Sequence, residues 1–169
     1  IPVLLGLGAN LGDREATLRA AVSGLGRFLN VTGVSPVYET APMYVMDQER
    51  FLNMVVAAET VLPPLRLLET VKDLERRLGR TPSRRYGPRR IDIDVIFYDD
   101  QIVSESDLQV PHPRLAERAF VLAPAADIAP DWVHPETGRT VKQMLEALGA
   151  TRGIERRDDL GDAAVRFAV

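Results

Sequence analysis

One segment, residues 84–97, limits the folds that are open to this chain. It reads RRYGPRRIDIDVIF, with arginines on both sides of a Gly-Pro turn and apolar residues at alternate positions after it. Successive side chains of a β-strand point to opposite faces, so this alternation predicts a strand with one apolar face. That face is predicted to consist of Ile91, Ile93, Val95 and Phe97. The fold must therefore contain a sheet with a covered face at this segment.

The same alternation places Asp92 and Asp94 together on the opposite face, with their backbone origins roughly 6–7 Å apart. Two carboxylates on an otherwise apolar strand are costly unless positive charge lies between them. A divalent cation can supply that charge, and the neighbouring arginines suit a polyanion that arrives with it. The segment therefore predicts phosphate chemistry at a metal site.

Length, charge and composition limit the classes of protein to which this chain can belong. The chain has 169 residues, which is enough for one well-buried domain and short for two. Its net charge of −3 argues against a general nucleic-acid binder. There are no cysteines, which fits a reducing compartment, and no apolar run approaches the ~20 residues that a membrane-spanning helix needs. We expect a cytoplasmic protein without nucleic-acid or membrane partners.

The rest of the chain alternates between strand and helix patterns. The order is strand, helix, strand, strand, helix, strand, which is the split βαβ pattern of a ferredoxin-like βαββαβ sheet. Pro36 in the second strand predicts an edge position or a bulge, and strands two and three should form an antiparallel hairpin. Thr140 is a candidate N-cap for a final helix. The predicted elements cover residues 2–9, 13–29, 31–39, 51–61, 63–78, 90–98 and 140–148.

Two common phosphate-binding motifs are absent from the sequence. The run GLGANL at residues 6–11 has leucine where the dinucleotide fingerprint needs its third glycine. Its glycines are explained by close strand packing or by the approach of a ligand. No G-x-x-x-x-G-K-[ST] run occurs, so ATP cannot be held by a P-loop.

Five blocks together resemble one family, the 6-hydroxymethyl-7,8-dihydropterin pyrophosphokinases. They occur in the family's order across roughly residues 3–150, and residues 151–169 remain an unassigned tail. The resemblance implies an α+β fold with three αβα layers built on a ferredoxin-like core, in a single domain over residues 1–169. The blocks are LGLGANLGD, YETAPM, FLN, RYGPRRIDIDVIF and VPHPRLAERAFVL.

The resemblance also implies a reaction. Pyrophosphate would pass from ATP to the hydroxymethyl group of the pterin, releasing AMP, as a step of folate biosynthesis. ATP would be the co-substrate, and Asp92 and Asp94 would hold two Mg²⁺ ions that clamp the phosphates. The expected partners are these small molecules alone, and the expected oligomeric state is a monomer.

Individual roles follow from positions that match the family's motifs. The matching catalytic positions are Arg80, Arg89, Asp92 and Asp94. The ATP-contacting positions are Lys72, Glu75, Arg84, Arg85, Ile93, His112 and Arg118, and either Arg84 or Arg85 could be the mobile catalytic arginine. The pterin-contacting positions are Thr40, Ala41, Pro42, Met43, Phe51, Asn53, Tyr86 and Phe120, with the two phenylalanines stacking on the ring.

The residues by themselves leave other interpretations open. Lys72 and Glu75 lie three residues apart on a predicted helix, so an internal ion pair is the simpler account of both. The D-x-D strand also fits another two-metal phosphoryl-transfer enzyme. A third interpretation is a ferredoxin-like regulatory domain whose aspartates bind a cation without turnover.

Overall fold

A computed structural model describes residues 1–10, 13–40, 51–79, 91–149 and 153–157. In its main sheet, β1 (Pro2–Ala9) pairs antiparallel with β4 (Phe51–Glu59) on one side and with β5 (Asp92–Tyr98) on the other. All three strands carry runs of buried apolar residues, as expected where a sheet is covered on both faces. The segment with alternating aspartates is therefore the edge strand beside β1.

The second predicted strand is divided in two. β2 (Asn30–Val34) and β3 (Tyr38–Thr40) both pair antiparallel with β4. Between them, the Ser35 hydroxyl accepts a hydrogen bond from the Val55 N–H at 2.8 Å, so a side chain replaces a backbone acceptor beside Pro36. The predicted irregularity at the proline and the predicted hairpin to β4 are confirmed.

The sheet order is β5-β1-β4-β3, and a last strand, β8 (Ile154–Arg156), continues it beyond β3. The first four positions reproduce the strand order of the predicted ferredoxin-like core. β8 comes from the tail to which the sequence assigned no structure. Two short strands, β6 (Val103–Ser104) and β7 (Gln109–Val110), form a separate hairpin after β5.

Helices cover both faces of the sheet. α1 (Arg14–Leu25) and α2 (Pro64–Gly79) pack on one face and bury a first apolar cluster there. α3 (Ala119–Ile128) and α4 (Val141–Leu148) pack on the other face and bury a second apolar cluster. The expected three-layer arrangement is therefore confirmed. α1 ends at Leu25, earlier than its apolar spacing predicted, and Gly26 follows as its C-cap. Thr140 caps α4 in a reciprocal capping box with Gln143, as predicted.

Phe97 does not share a face with Ile91, Ile93 and Val95, so that prediction was wrong. The register of β1 and β5 shifts between Leu4 and Leu5, which pair with Phe97 and Val95 and leave Ile96 without a partner on β1. This bulge turns Phe97 to the α3 and α4 face, where it packs in the second apolar cluster. Alternation in the sequence alone carries no sign of the shift.

Among the described residues, no helix is long and apolar enough to cross a membrane.

Candidate active site

Asp92 and Asp94 lie opposite two glycines on the neighbouring strand β1. Asp92 pairs with Gly8 and Asp94 pairs with Gly6, while Ile93 between them is buried in the α1 and α2 cluster. Directly paired residues of an antiparallel sheet project to the same face, so the carboxylates border a strip of β1 that carries no side chains. Both aspartates are half-buried. Ile96 covers Gly6, whereas Gly8 is partly exposed, so a ligand on this face can approach the backbone at Gly8.

The pair of carboxylates is electrostatically strained without a cation. Burial raises the pKa of Asp94 to about 6, and the negative charge of Asp92 adds to the shift. The charges of Lys72 and Arg118 act in the opposite direction without cancelling it. A divalent cation would relieve both the desolvation and the repulsion, and carboxylate oxygens are the ligands that Mg²⁺ prefers. The aspartate pair therefore fits the expected metal.

Lys72 and Glu75 attach α2 to the strand that carries the aspartates. The Lys72 ammonium lies 3.0 Å from the Glu75 carboxylate, which confirms the ion pair. Glu75 accepts a hydrogen bond from the Ile93 N–H at 2.7 Å, and Lys72 donates one to the Ile93 carbonyl at 3.2 Å. The ammonium is also 3.9 Å from Asp92. These two side chains thus occupy the place that a neighbouring strand would take beside β5.

A cavity of about 300 Å³ opens between α2, β5 and the β6–β7 hairpin. Three predicted site residues line it, namely Lys72, Asp94 and His112. The rest of the lining was not predicted from the sequence, although a polar stretch directly before the His112 loop could have pointed to part of it. The additional lining residues are Leu68, Val95, Ser106, Asp107, Leu108, Gln109 and Pro113.

His112 is held in one position and one protonation state. Its backbone N–H donates to the Ile96 carbonyl at 3.1 Å, and its Nδ1 accepts from the Arg114 N–H at 3.2 Å. Burial lowers the pKa of His112, and the positive charge of Arg118 lowers it further, against the opposite effect of Asp92. The ring is therefore neutral at pH 7, with its proton on Nε2.

Arg118 links the aspartates to an aromatic side chain. It precedes α3, and its guanidinium carbon lies 5.6 Å from the centre of the Phe120 ring, which is a cation–π distance. Its charge acts on both Asp94 and His112. Phe120 is half-buried against the second apolar cluster, so part of its ring stays accessible.

Three of the predicted pterin-contacting residues, Thr40, Phe51 and Asn53, lie on the other side of the glycine strip, on β3 and β4. Asn53 pairs with Gly8 from β4, so Asp92, Gly8 and Asn53 form one row across three strands. The Asn53 amide donates to the Thr40 hydroxyl at 2.8 Å, which fixes the orientation of the amide. A Cβ added at Gly8 would lie 3.0 Å from Asn53 Oδ1 and 3.9 Å from the Phe51 ring. Phe51 and Asn53 therefore flank the glycine strip directly.

Several predicted site residues lie outside the described residues. They are Ala41, Pro42, Met43, Arg80, Arg84, Arg85, Tyr86 and Arg89. Within the described part of the chain, no group of three or more acidic, histidine or cysteine side chains could hold a metal ion. The Asp92 and Asp94 pair is thus a partial ligand set, which water or substrate oxygens would complete.

Comparison with known proteins identifies relatives over most of the chain. A family model described as 7,8-dihydro-6-hydroxymethylpterin-pyrophosphokinase (HPPK) matches residues 4–130. A Methylorubrum extorquens 2-amino-4-hydroxy-6-hydroxymethyldihydropteridine pyrophosphokinase is 47% identical over 154 residues, which cover 90% of this chain and 96% of that protein. The Bacillus subtilis protein of the same name is also 47% identical, over 73% of this chain and 75% of its own length.

Some relatives are much longer than this chain. The folic acid synthesis protein fol1 of Schizosaccharomyces pombe is 40% identical over 85% of this chain, and the matched part is only 20% of that protein. The crystal structure of wild-type Plasmodium falciparum HPPK-DHPS has the same fold, with a TM-score of 0.76 at 16% identity. That match covers 92% of this chain and 48% of the longer one.

Proposed function

The chain belongs to the 7,8-dihydro-6-hydroxymethylpterin-pyrophosphokinase family, and on that premise we propose that it is an ATP-dependent pyrophosphokinase of folate biosynthesis. The pterin hydroxymethyl oxygen attacks the β-phosphorus of ATP. The bond from that phosphorus to the oxygen that bridges it to the α-phosphorus breaks. AMP leaves, the hydroxyl proton passes to solvent, and the pterin diphosphate forms.

The row Asp92–Gly8–Asn53 is the observation that carries this proposal. The carboxylate pair, which suits metal-bound phosphates, and the Asn53 amide, which suits the edge of a heterocycle, lie on the same face of the sheet. Two strand spacings, about 10 Å, separate them. Gly8 between them leaves the space in which the hydroxymethyl group meets the phosphate chain. Such positioning supplies much of the rate in phosphoryl transfer.

On the phosphate side, Asp92 and Asp94 would hold Mg²⁺, with two ions expected, and the bound ions would supply positive charge for the attacking and leaving oxygens. Arg118 adds a fixed positive charge beside Asp94, and neutral His112 offers its Nε2 proton as a hydrogen-bond donor. The cavity beside α2 has a size that suits the nucleoside of ATP, with Lys72 at its wall. Arg80, Arg84, Arg85 and Arg89 keep the phosphate-contacting roles that their motif positions imply.

On the pterin side, Asn53 offers a carbonyl oxygen and an N–H to the ring edge, while its hydrogen bond to Thr40 fixes the orientation of the amide. Phe51 and Phe120 supply the two aromatic faces. Tyr86 and the segment formed by Ala41, Pro42 and Met43 border the ring in this proposal.

One assay tests the function. The protein is incubated with ATP, Mg²⁺ and 6-hydroxymethyl-7,8-dihydropterin, and AMP and the pterin diphosphate are quantified. We expect AMP only when the pterin is present, and a loss of at least about 100-fold in kcat for Asp92→Asn and Asp94→Asn. ADP or phosphate without AMP would indicate a different phosphoryl-transfer enzyme. No turnover of any kind would leave only the cation-binding interpretation.

A further inference from the structure

The short strand β3 is held from several directions at once. Its Tyr38 hydroxyl donates to Asp127 on α3 at 2.6 Å, and Thr40 accepts from Asn53 on β4 at 2.8 Å. Tyr38 and Thr40 point to one face of the sheet, so Glu39 between them points to the other. Three residues of strand are rarely enough to fix a position by backbone pairing alone.

Glu39 is the ionic centre of this arrangement. Its Oε1 accepts from Arg14 at 3.2 Å and its Oε2 accepts from Arg157 at 2.6 Å, and only 17% of its side chain is exposed. Burial opposes its ionisation, but the hydrogen bonds and charges of Arg157 and Arg14 prevail and lower its pKa. The carboxylate thus connects the first turn of α1 to the residue that follows β8.

β8 protects the outer edge of β3. Thr40 pairs with Ile154 and Glu39 pairs with Glu155, while the Arg157 N–H donates to the Val37 carbonyl at 2.8 Å. Without β8, the three residues of β3 would form an exposed edge that directly precedes the segment containing Ala41. The Glu39–Arg157 ion pair therefore fastens the last described segment of the chain to the strand that carries Thr40.

We propose that Glu39 is a positioning residue for the pterin side of the site, and that it acts by fastening β8 to β3 through Arg157. This inference rests on the proposed function. When the ion pair is intact, β3 stays in the register that sets the Thr40 hydroxyl against the Asn53 amide. When the pair is lost, β3 shifts and the amide no longer presents fixed donors and acceptors to the ring. Asp92 lies three strand spacings away, about 14 Å, so ATP binding is little affected.

The test compares substrate dependence in Glu39→Gln and Arg157→Ala. We expect the KM for the pterin to rise about fivefold to tenfold in both variants, while the KM for ATP changes less than about twofold. The Kd of the pterin is measured directly by calorimetry in the presence of Mg²⁺ and a non-hydrolysable ATP analogue. Glu69→Gln is the matched control, because it removes one carboxylate from an exposed pair with Arg66 on α2.

The results distinguish failure of the positioning role from failure of the proposed function. An unchanged pterin KM in both variants, or equal rises for pterin and ATP, would overturn the positioning role. If Glu39→Gln does not fold, Arg157→Ala decides the matter alone, since Arg157 lies after β8 and outside both apolar clusters. Absence of AMP formation by the wild-type protein would instead overturn the proposed function, which keeps the two failures distinguishable.

Discussion

Glu75 on α2 accepts a hydrogen bond from the backbone N–H of Ile93 at 2.7 Å, and Ile93 is the residue between the two aspartates of β5. Because β5 is an edge strand, its outward backbone groups would otherwise face solvent. Lys72 satisfies the Ile93 carbonyl in the same way. Helix side chains thus hold the backbone between Asp92 and Asp94 against α2.

Replacing Glu75 with alanine is expected to lower the free energy of unfolding by about 1–3 kcal/mol, because the Ile93 N–H loses its acceptor and the Lys72 ammonium loses one of its partners. Urea denaturation measures the change. Glu69→Ala on the same helix removes a carboxylate that is 68% exposed and should cost less than about 0.5 kcal/mol. Equal effects of the two substitutions would contradict the role of Glu75.

The contribution of Asp94 to the stability of the metal-free protein should fall as pH rises from 4 to 6. The pKa of Asp94 is about 6 when folded, against an ordinary value of 3.8, so the folded state holds this proton more tightly. The stabilisation that this proton gives the folded state is complete below pH ~4 and is lost as pH rises through ~6, a change on the order of 2 kcal/mol. The measurement is the difference in unfolding free energy between wild type and Asp94→Asn, because His112 titrates in both. A difference that does not change with pH would disprove the shift.

Adding Mg²⁺ at pH 7.5 should stabilise the wild-type protein and raise its Tm. At a concentration of ten times the Kd, the gain is about 1.4 kcal/mol for one site that is absent from the unfolded chain. The Tm is measured by thermal unfolding with and without Mg²⁺, for the wild-type protein and for Asp92→Asn. This test of the metal site needs no assay of turnover. The same Mg²⁺ effect on both proteins would place the ion elsewhere.

Gly8→Ala should weaken pterin binding about tenfold, because the new methyl group would lie 3.0 Å from Asn53 Oδ1 and displace the amide. Gly33→Ala is the matched control on β2, since its Cβ would meet its nearest neighbour at an ordinary 3.7 Å. Calorimetric titration with the pterin in the presence of an ATP analogue measures both. Wild-type affinity in Gly8→Ala would show that the row across β1 is not the binding surface.

Phe120→Ala should raise the Kd of the pterin by about tenfold through loss of a stacking face, and should change ATP binding less. Phe28→Ala removes another ring, one that is 43% exposed after α1, and should leave both affinities unchanged. Separate titrations with the two ligands provide the comparison. A larger effect on ATP than on the pterin would reverse the assignment of Phe120.

The strong local patterns predicted their elements well. β1, β4, β5, α2 and the Thr140 cap lie where alternation, helical spacing and capping residues placed them. α3 was not predicted, because its run AFVLAPAADI contains Pro124 and is apolar on most sides, so it has no clear helical stripe. The cavity lining at Ser106, Asp107 and Gln109 was also missed, since its one signal, a polar stretch before the His112 loop, is equally typical of an exposed turn.

The sequence by itself determined the aspartate strand, the family and the order of the core elements, because these depend on motifs and on periodicities of two to four residues. Only the tertiary structure decided that Phe97 changes face, that Glu75 binds the backbone between the aspartates, and that Glu39 meets Arg157 across 118 positions of sequence. Each of these depends on which backbones meet in space and in what register. A bulge, a strand edge and a distant ion pair have no local signature, since their partners lie elsewhere in the chain.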